Sequence, residues 1–235
     1  MEDGEWIGRL FPSSILYSPS SPLIPCRQVF HGKPIIGLAG GIGSGKSFVA
    51  KIFGEFNCLV INSDQQAKAA YNDPAIRDSL RKWWGDAVFT NDNSVNRTAI
   101  AQKIFENPAE RLRLESLLHP WVNNARQRMM DAHADDPQVL AFVWDTPLLF
   151  ETGLNDQCDA VVFVEASPPV RMGRVVATRG WSQADWSTRE KLQQPLDMKR
   201  KISDYCIVNT ADANAAEVDV RGQVREILSL ILANR

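Results

Sequence analysis

Thirteen residues, Ile35-Ile36-Gly37-Leu38-Ala39-Gly40-Gly41-Ile42-Gly43-Ser44-Gly45-Lys46-Ser47, constrain the fold of this chain more than any other stretch. They read as a short apolar strand, a glycine-rich turn and the start of a helix, since Val49, Ile52, Phe53 and Phe56 then recur at helical spacing within Phe48–Phe56. Gly40, four residues and Gly45-Lys46-Ser47 fit the G-x-x-x-x-G-K-[ST] pattern. Side chains in such a turn would stop the backbone N–H groups from wrapping a phosphate chain, which is why glycines stand there. The helix that follows adds its N-terminal donors and the positive end of its dipole. Gly41, Ile42, Gly43, Ser44, Gly45 and Phe48 are therefore the expected cradle, Lys46 reaches the outer phosphates, and the Ser47 hydroxyl is offered to magnesium. A plain flexible turn is the alternative; a strand before it and a helix after it favour the phosphate loop. The expected ligands are ATP or GTP with Mg2+.

At 235 residues the chain can bury one good core with a small inserted subdomain. A formal net charge of −2 argues against general affinity for nucleic acid or anionic membranes. Cys26, Cys58, Cys158 and Cys206 form no C-x-x-C pair and have no histidines at metal spacing, so they read as reduced residues of a reducing compartment. No apolar run approaches the ~20 residues of a membrane span. Glu2, Asp3 and Glu5 stand where a secretory signal would be basic. The expectation is a cytoplasmic monomer with no nucleic-acid or membrane partner. Residues 1–33, with Pro12, Pro19, Pro22 and Pro25 among serines, read as a disordered extension ahead of a domain at 34–235.

Further along, Cys58-Leu59-Val60-Ile61 reads as the second strand, ending at Asn62-Ser63-Asp64. Asp64 suits two roles equally: a helix cap, or a proton acceptor at the carboxyl end of a strand, where ligands of open α/β sheets gather. Residues 74–133 are helical in pattern, with segments Pro74–Trp84, Arg97–Phe105, Pro108–Leu118 and Pro120–Met130 broken at Gly85, Asn91-Asp92-Asn93, Asn107-Pro108 and His119-Pro120. A block this long between strands exceeds a simple crossover and reads as a helical substrate-binding insertion over about 65–135. Its Arg97, Lys103, Arg111, Arg113, Arg126 and Arg128 read mostly as solvated faces, with one or two reaching substrate phosphates. Val139–Asp145 and Ala160–Val164 are continuous apolar runs typical of strands buried on both faces. Asp145, at the end of the first, suits the second magnesium-holding position, a solvent-facing carboxylate being the alternative. Ser167-Pro168 opens a helix to about Arg179. The basic stretch Arg171–Lys201 reads either as a lid, about 174–195, that brings positive charge onto a transferring phosphoryl group, or as an exposed charged helix pair. Tyr205–Val208 is the last strand, and Val220, Val224, Ile227 and Ile231 mark a closing amphipathic helix.

From Ile35 to Asn209 the residues resemble the dephospho-coenzyme A kinases, which phosphorylate dephospho-CoA in the last step of coenzyme A biosynthesis. The phosphate loop is similar to theirs, Leu117-Leu118-His119-Pro120 matches their Leu-His-Pro element, and Pro147-Leu148-Leu149-Phe150-Glu151 matches their Pro-Leu-Leu-Phe-Glu motif. Arg189, Gln193, Pro195, Lys199, Asp204, Ile207 and Asn209 follow at family spacing. The resemblance implies a three-layer α/β/α P-loop kinase with about five parallel strands, a helical insertion and a lid. It implies Asp64 as the base for the ribose 3′-hydroxyl and Arg174 as a lid arginine. It further implies Asn209 beside ATP, Arg97, His119, Pro147, Leu148, Leu149 and Gln193 around the acceptor, and Ser47 with Asp145 at Mg2+. Departures are Asn62 in place of the first aspartate of an Asp-x-Asp signature, Lys68 where Arg or His is common, an Arg174–Arg179 spacing one residue longer than usual, and Gly180 for an acidic residue. Rival readings are a phosphate-loop kinase of nucleoside monophosphates or a sugar acid, and a GTP switch, for which the sequence lacks an N-K-x-D motif.

Overall fold

The apolar runs assemble into one sheet. In the computed structural model, which describes residues 29–191, 193–209 and 213–234, β1 (Ile35–Gly40), β2 (Cys58–Asn62), β3 (Ala141–Asp145), β4 (Ala160–Glu165) and β5 (Tyr205–Val208) lie in the order β2-β3-β1-β4-β5. The pairings of β1 with β3, β1 with β4, and β4 with β5 are parallel, and helices cover both faces of the sheet. Most of the extension expected at 1–33 lies outside the described residues, as does Cys26; Phe30 and Lys33, at its end, form an antiparallel bridge. The helices are α1 (Lys46–Glu55), α2 (Ser63–Ala70), α3 (Pro74–Trp84), α4 (Arg97–Glu106), α5 (Pro108–Ala132), α6 (Pro168–Arg179), α7 (Gln183–Glu190), α8 (Leu196–Lys201) and α9 (Ala213–Ala233). None is long and apolar enough to cross a membrane. The described residues divide into two compact units, 62–131 and 29–61 with 132–234.

In the sheet unit, alternate strand residues serve opposite faces, so both sets are apolar. Ile36, Leu38, Val143, Val162 and Val164 pack with Val49, Ile52 and Phe53 of α1 and Val220, Val224 and Ile227 of α9. On the other face Gly37 leaves room for Leu149 and Cys158: a Cβ there would stand 2.7 Å from Leu149 Cδ2. The register pairs Leu38 with Asp145 and Gly40 with Val164, which brings the phosphate loop and the Asp145 carboxylate to the same edge of the sheet.

The helical unit has its own core of Ala70, Tyr71, Ile76, Leu80, Ile100, Leu114, Leu118 and Val122. Its helices are capped by side chains: Asp73 accepts from Ala75 N at 2.9 Å, and Asn96 from Ala99 N at 3.1 Å. Asp73 also accepts from the Trp121 indole at 2.8 Å. The break expected at His119-Pro120 is absent, because α5 runs through Pro120. A helix-interior proline costs about 3 kcal/mol. Leu114, Leu118 and Val122, all buried on one stripe, each return about 1.5–3 kcal/mol only if the helix stays continuous. Arg126, one of the six basic residues read mostly as solvated, is buried on the same helix.

Burial raises the Glu115 carboxyl to about 7, against the pull of Arg111 at 3.7 Å. In the unfolded chain a glutamate titrates near 4.3, so between these values the folded state keeps a proton that the unfolded state has lost. Stability from this group therefore falls as pH rises through that window. Glu115→Gln should raise Tm by about 2–4 °C at alkaline pH and leave it unchanged near pH 4, as followed by calorimetry.

Candidate active site

The phosphate loop takes its shape from backbone conformations that only glycine adopts without strain. Gly43 has φ +81° and Gly45 φ +91°; a Cβ on Gly43 would meet Arg171 O at 2.4 Å, and one on Gly45 would meet Asn209 Nδ2 at 2.3 Å. Gly45, in the left-handed region, is also the residue from which α1 springs. The loop is held from outside by side chains. Asn209, buried, donates to Ser44 O at 2.8 Å and accepts from Arg174 at 3.1 Å, and Arg174 donates to Ser44 O at 3.1 Å. Arg171, also buried, donates to Ile42 O at 3.4 Å and pairs with Glu190. Trp186 of α7 donates to the same Ile42 carbonyl at 3.4 Å. Phe48 is partly buried and packs against the core of the sheet unit.

Lys46 Nζ donates to Gly40 O at 3.0 Å and Gly41 O at 3.3 Å. Burial brings its ammonium down to about 8; Asp145 and Glu151 oppose this, while Lys199 and Arg179 reinforce it. An anion placed beside it would restore the charge. The Ser47 hydroxyl donates to Asp145 Oδ2 at 2.8 Å, and Asp145 is 5% exposed, so it is not a solvent-facing carboxylate. With its proton turned to Asp145, Ser47 Oγ keeps its lone pairs for a cation. A hydroxyl and a carboxylate are the hard oxygen donors magnesium takes from protein when phosphates and water supply the rest.

The basic stretch splits between helices. Gly180, at φ +63°, terminates α6 in the left-handed conformation, and Ser182 with Asp185 forms the capping box of α7. Arg179 and Arg189 both lie over the Trp181 ring, at 5.0 and 4.0 Å. Gln193 is half-buried just beyond α7. Leu148 and Leu149 are 2% exposed and belong to the core under the turn after β3, leaving Pro147 half-buried above them.

Asp64, Arg97 and His119 belong to the helical unit. Asn62, not Asp64, caps α2, accepting from Gln65 N at 2.9 Å, so the carboxylate is not spent on the cap. Tyr71, which follows α2, has its phenol pushed up by burial and feels the charge of Arg97. His119 is half-buried, and desolvation lowers its pKa, which favours the neutral ring. Trp186 had no role in the sequence reading; Arg171 entered it only as the start of the basic stretch, and Glu151 and Lys199 only as members of family motifs. Arg171 could have been read from its position one turn before Arg174, while Glu151 and Lys199 meet only through the fold.

A parallel sheet of this strand order, with a lysine-serine phosphate loop on β1 and a buried aspartate on β3, defines a phosphate-loop kinase. The family described as dephospho-CoA kinase matches residues 34–215, and the chain belongs to that family. Among its relatives, the dephospho-CoA kinase of Syntrophotalea carbinolica is 34% identical over 84% of this chain and 92% of its own. That of Deinococcus radiodurans is 30% identical over 89% and 96%. The crystal structure of TT1252 from Thermus thermophilus superposes with a TM-score of 0.68 at 28% identity, covering 86% of this chain and 97% of that one. The dephospho-CoA kinase of Campylobacter jejuni shares the fold with a TM-score of 0.59 at 18% identity, over 85% and 98%.

Proposed function

We propose that this kinase transfers the γ-phosphoryl group of ATP to the ribose 3′-hydroxyl of dephospho-CoA, giving coenzyme A and ADP. The observation that carries the reading is the Lys46 loop beside the Ser47–Asp145 pair, in a chain of the dephospho-CoA kinase family. Mg2+ held by Ser47 and Asp145 would neutralise phosphate charge. Transfer asks chiefly for in-line positioning and charge neutralisation. The cradle Gly41–Phe48 holds the phosphates, and Lys46 and Arg174 carry the positive charge. Asn209, fixed against Ser44 O and Arg174, keeps the loop in its binding shape. Asp64 orients the 3′-hydroxyl and takes its proton as the new bond forms. Arg97, His119, Pro147 and Gln193 bind the acceptor, with Leu148 and Leu149 in the core beneath Pro147. Closure of residues about 174–195 excludes water and so limits loss of ATP to hydrolysis. Residues 34–235 then act as one kinase domain with a helical acceptor-binding insertion, monomeric and cytoplasmic.

The test is purified protein with ATP-Mg and a panel of dephospho-CoA, nucleoside monophosphates and sugar acids. Dephospho-CoA should be turned over with the highest kcat/KM, and phosphorus NMR should show a 3′-phosphate. Preference for another acceptor would overturn the reading.

A further inference from the structure

Lys199 is among the most deeply buried side chains of the described residues, at 2% exposure, though it carries a charge. Its Nζ pairs with Glu151 Oε1 at 2.6 Å, and Glu151 is equally buried. The same Oε1 accepts from Gln194 N at 3.1 Å, while Glu151 Oε2 has no hydrogen-bond partner among the described residues. As a device for stability this is a poor arrangement. A buried ion pair gains little over apolar residues of the same size, and an unmade bond on a buried carboxylate adds a cost.

The location suggests a use. Leu196, one turn before Lys199 on α8, lies 2.9 Å from the position a Cβ on Gly41 would take, so this face of α8 abuts the phosphate loop. Lys199 and Glu151 are both close enough to Lys46 to act on its charge, together with Asp145 and Arg179. Two cations, Lys199 and Arg179, and two carboxylates, Asp145 and Glu151, thus act on the Lys46 ammonium, a balance an anion on the loop would complete. An ammonium has three donors, and Glu151 uses one.

We propose that Lys199 is a second phosphate-binding lysine of the site: Glu151 aims it, and its remaining donors bind the outer phosphates of ATP on the loop. This rests on the kinase reading above. Lys199 would then add charge stabilisation as the phosphoryl group transfers, and Glu151 is a positioning residue.

The decisive variant is Lys199→Met/Glu151→Gln, which leaves no unpaired buried charge and keeps an acceptor for Gln194 N. The expected result is a Tm close to wild type, a kcat lowered at least ~100-fold and a KM for dephospho-CoA within about threefold, with Lys199→Arg recovering part of the rate. Wild-type kcat and KM for ATP in the double variant would overturn the proposal and leave the pair a packing feature. In the wild-type protein, the Lys199 13Cε resonance should shift on adding a non-hydrolysable ATP analogue with Mg2+. An unmoved resonance would overturn the proposal even if the double variant fails to fold. Wild-type protein inert on dephospho-CoA would instead fail the kinase reading itself, so the two failures are distinct.

Discussion

Asp64→Ala and Asp64→Asn are each expected to lose at least ~100-fold in kcat, the lower range for a general acid–base group, with little change in Tm. The expectation of a stable variant follows from α2: its cap is the Asn62 side chain on Gln65 N, which neither substitution touches. Asp64 sits in the first turn of that helix, where a negative charge is worth only about 0.3–1 kcal/mol through the helix dipole. Stability and turnover are thereby separated. The asparagine variant is the sharper of the two, since it keeps the size and hydrogen-bonding oxygen but cannot take the proton of the 3′-hydroxyl. Steady-state rates with dephospho-CoA, alongside melting curves, check this. Near-normal kcat in both variants would assign Asp64 to helix structure and leave the reaction without its base.

The second large effect is expected at Lys46. Lys46→Met should lower kcat by about 10²–10³-fold, the cost of removing one preorganised donor from developing charge. The variant should not melt below wild type at neutral pH without nucleotide. Lys46 titrates near 8 in the fold because burial disfavours its charge, whereas the unfolded chain holds the proton up to about 10.4. The unfolded state thus binds more protons between these values, so stability from this group rises with pH from about 8 to 10.4 and is lowest below that window. Methionine removes the penalty but also removes the bonds to Gly40 O and Gly41 O, each worth about 0.5–1.5 kcal/mol net. The two terms oppose one another, and activity falls while the fold persists. Calorimetry, an ATP titration and rate measurements together test it; full kinase activity in Lys46→Met would remove the phosphate-loop assignment.

β1, β3 and β4 were legible because each is a short apolar run buried on both faces, a pattern that needs no knowledge of neighbours. Tyr205–Val208 occupies the span its composition suggested, and Ser167-Pro168 marks the start of α6. The break at Pro120 was misread for the same reason that local signals work. A proline is a local penalty, whereas the stripe Leu114, Leu118 and Val122 has value only once Tyr71, Ile76 and Ile100 are present to bury it. Arg126 is a similar case, since an arginine gives no local sign that the chain will cover it.

The candidate site divides along the same line. The sequence alone determined the anion cradle, because left-handed glycines followed by lysine and serine at a helix start specify a backbone shape by local sterics, and it placed Asp145 at a strand end. Only the tertiary structure decided that the Ser47 hydroxyl donates to Asp145 from 98 residues away, and that Glu151 meets Lys199 out of water. These pairings arise from strand register and desolvation, which are properties of the assembled core, and no window of sequence contains both partners.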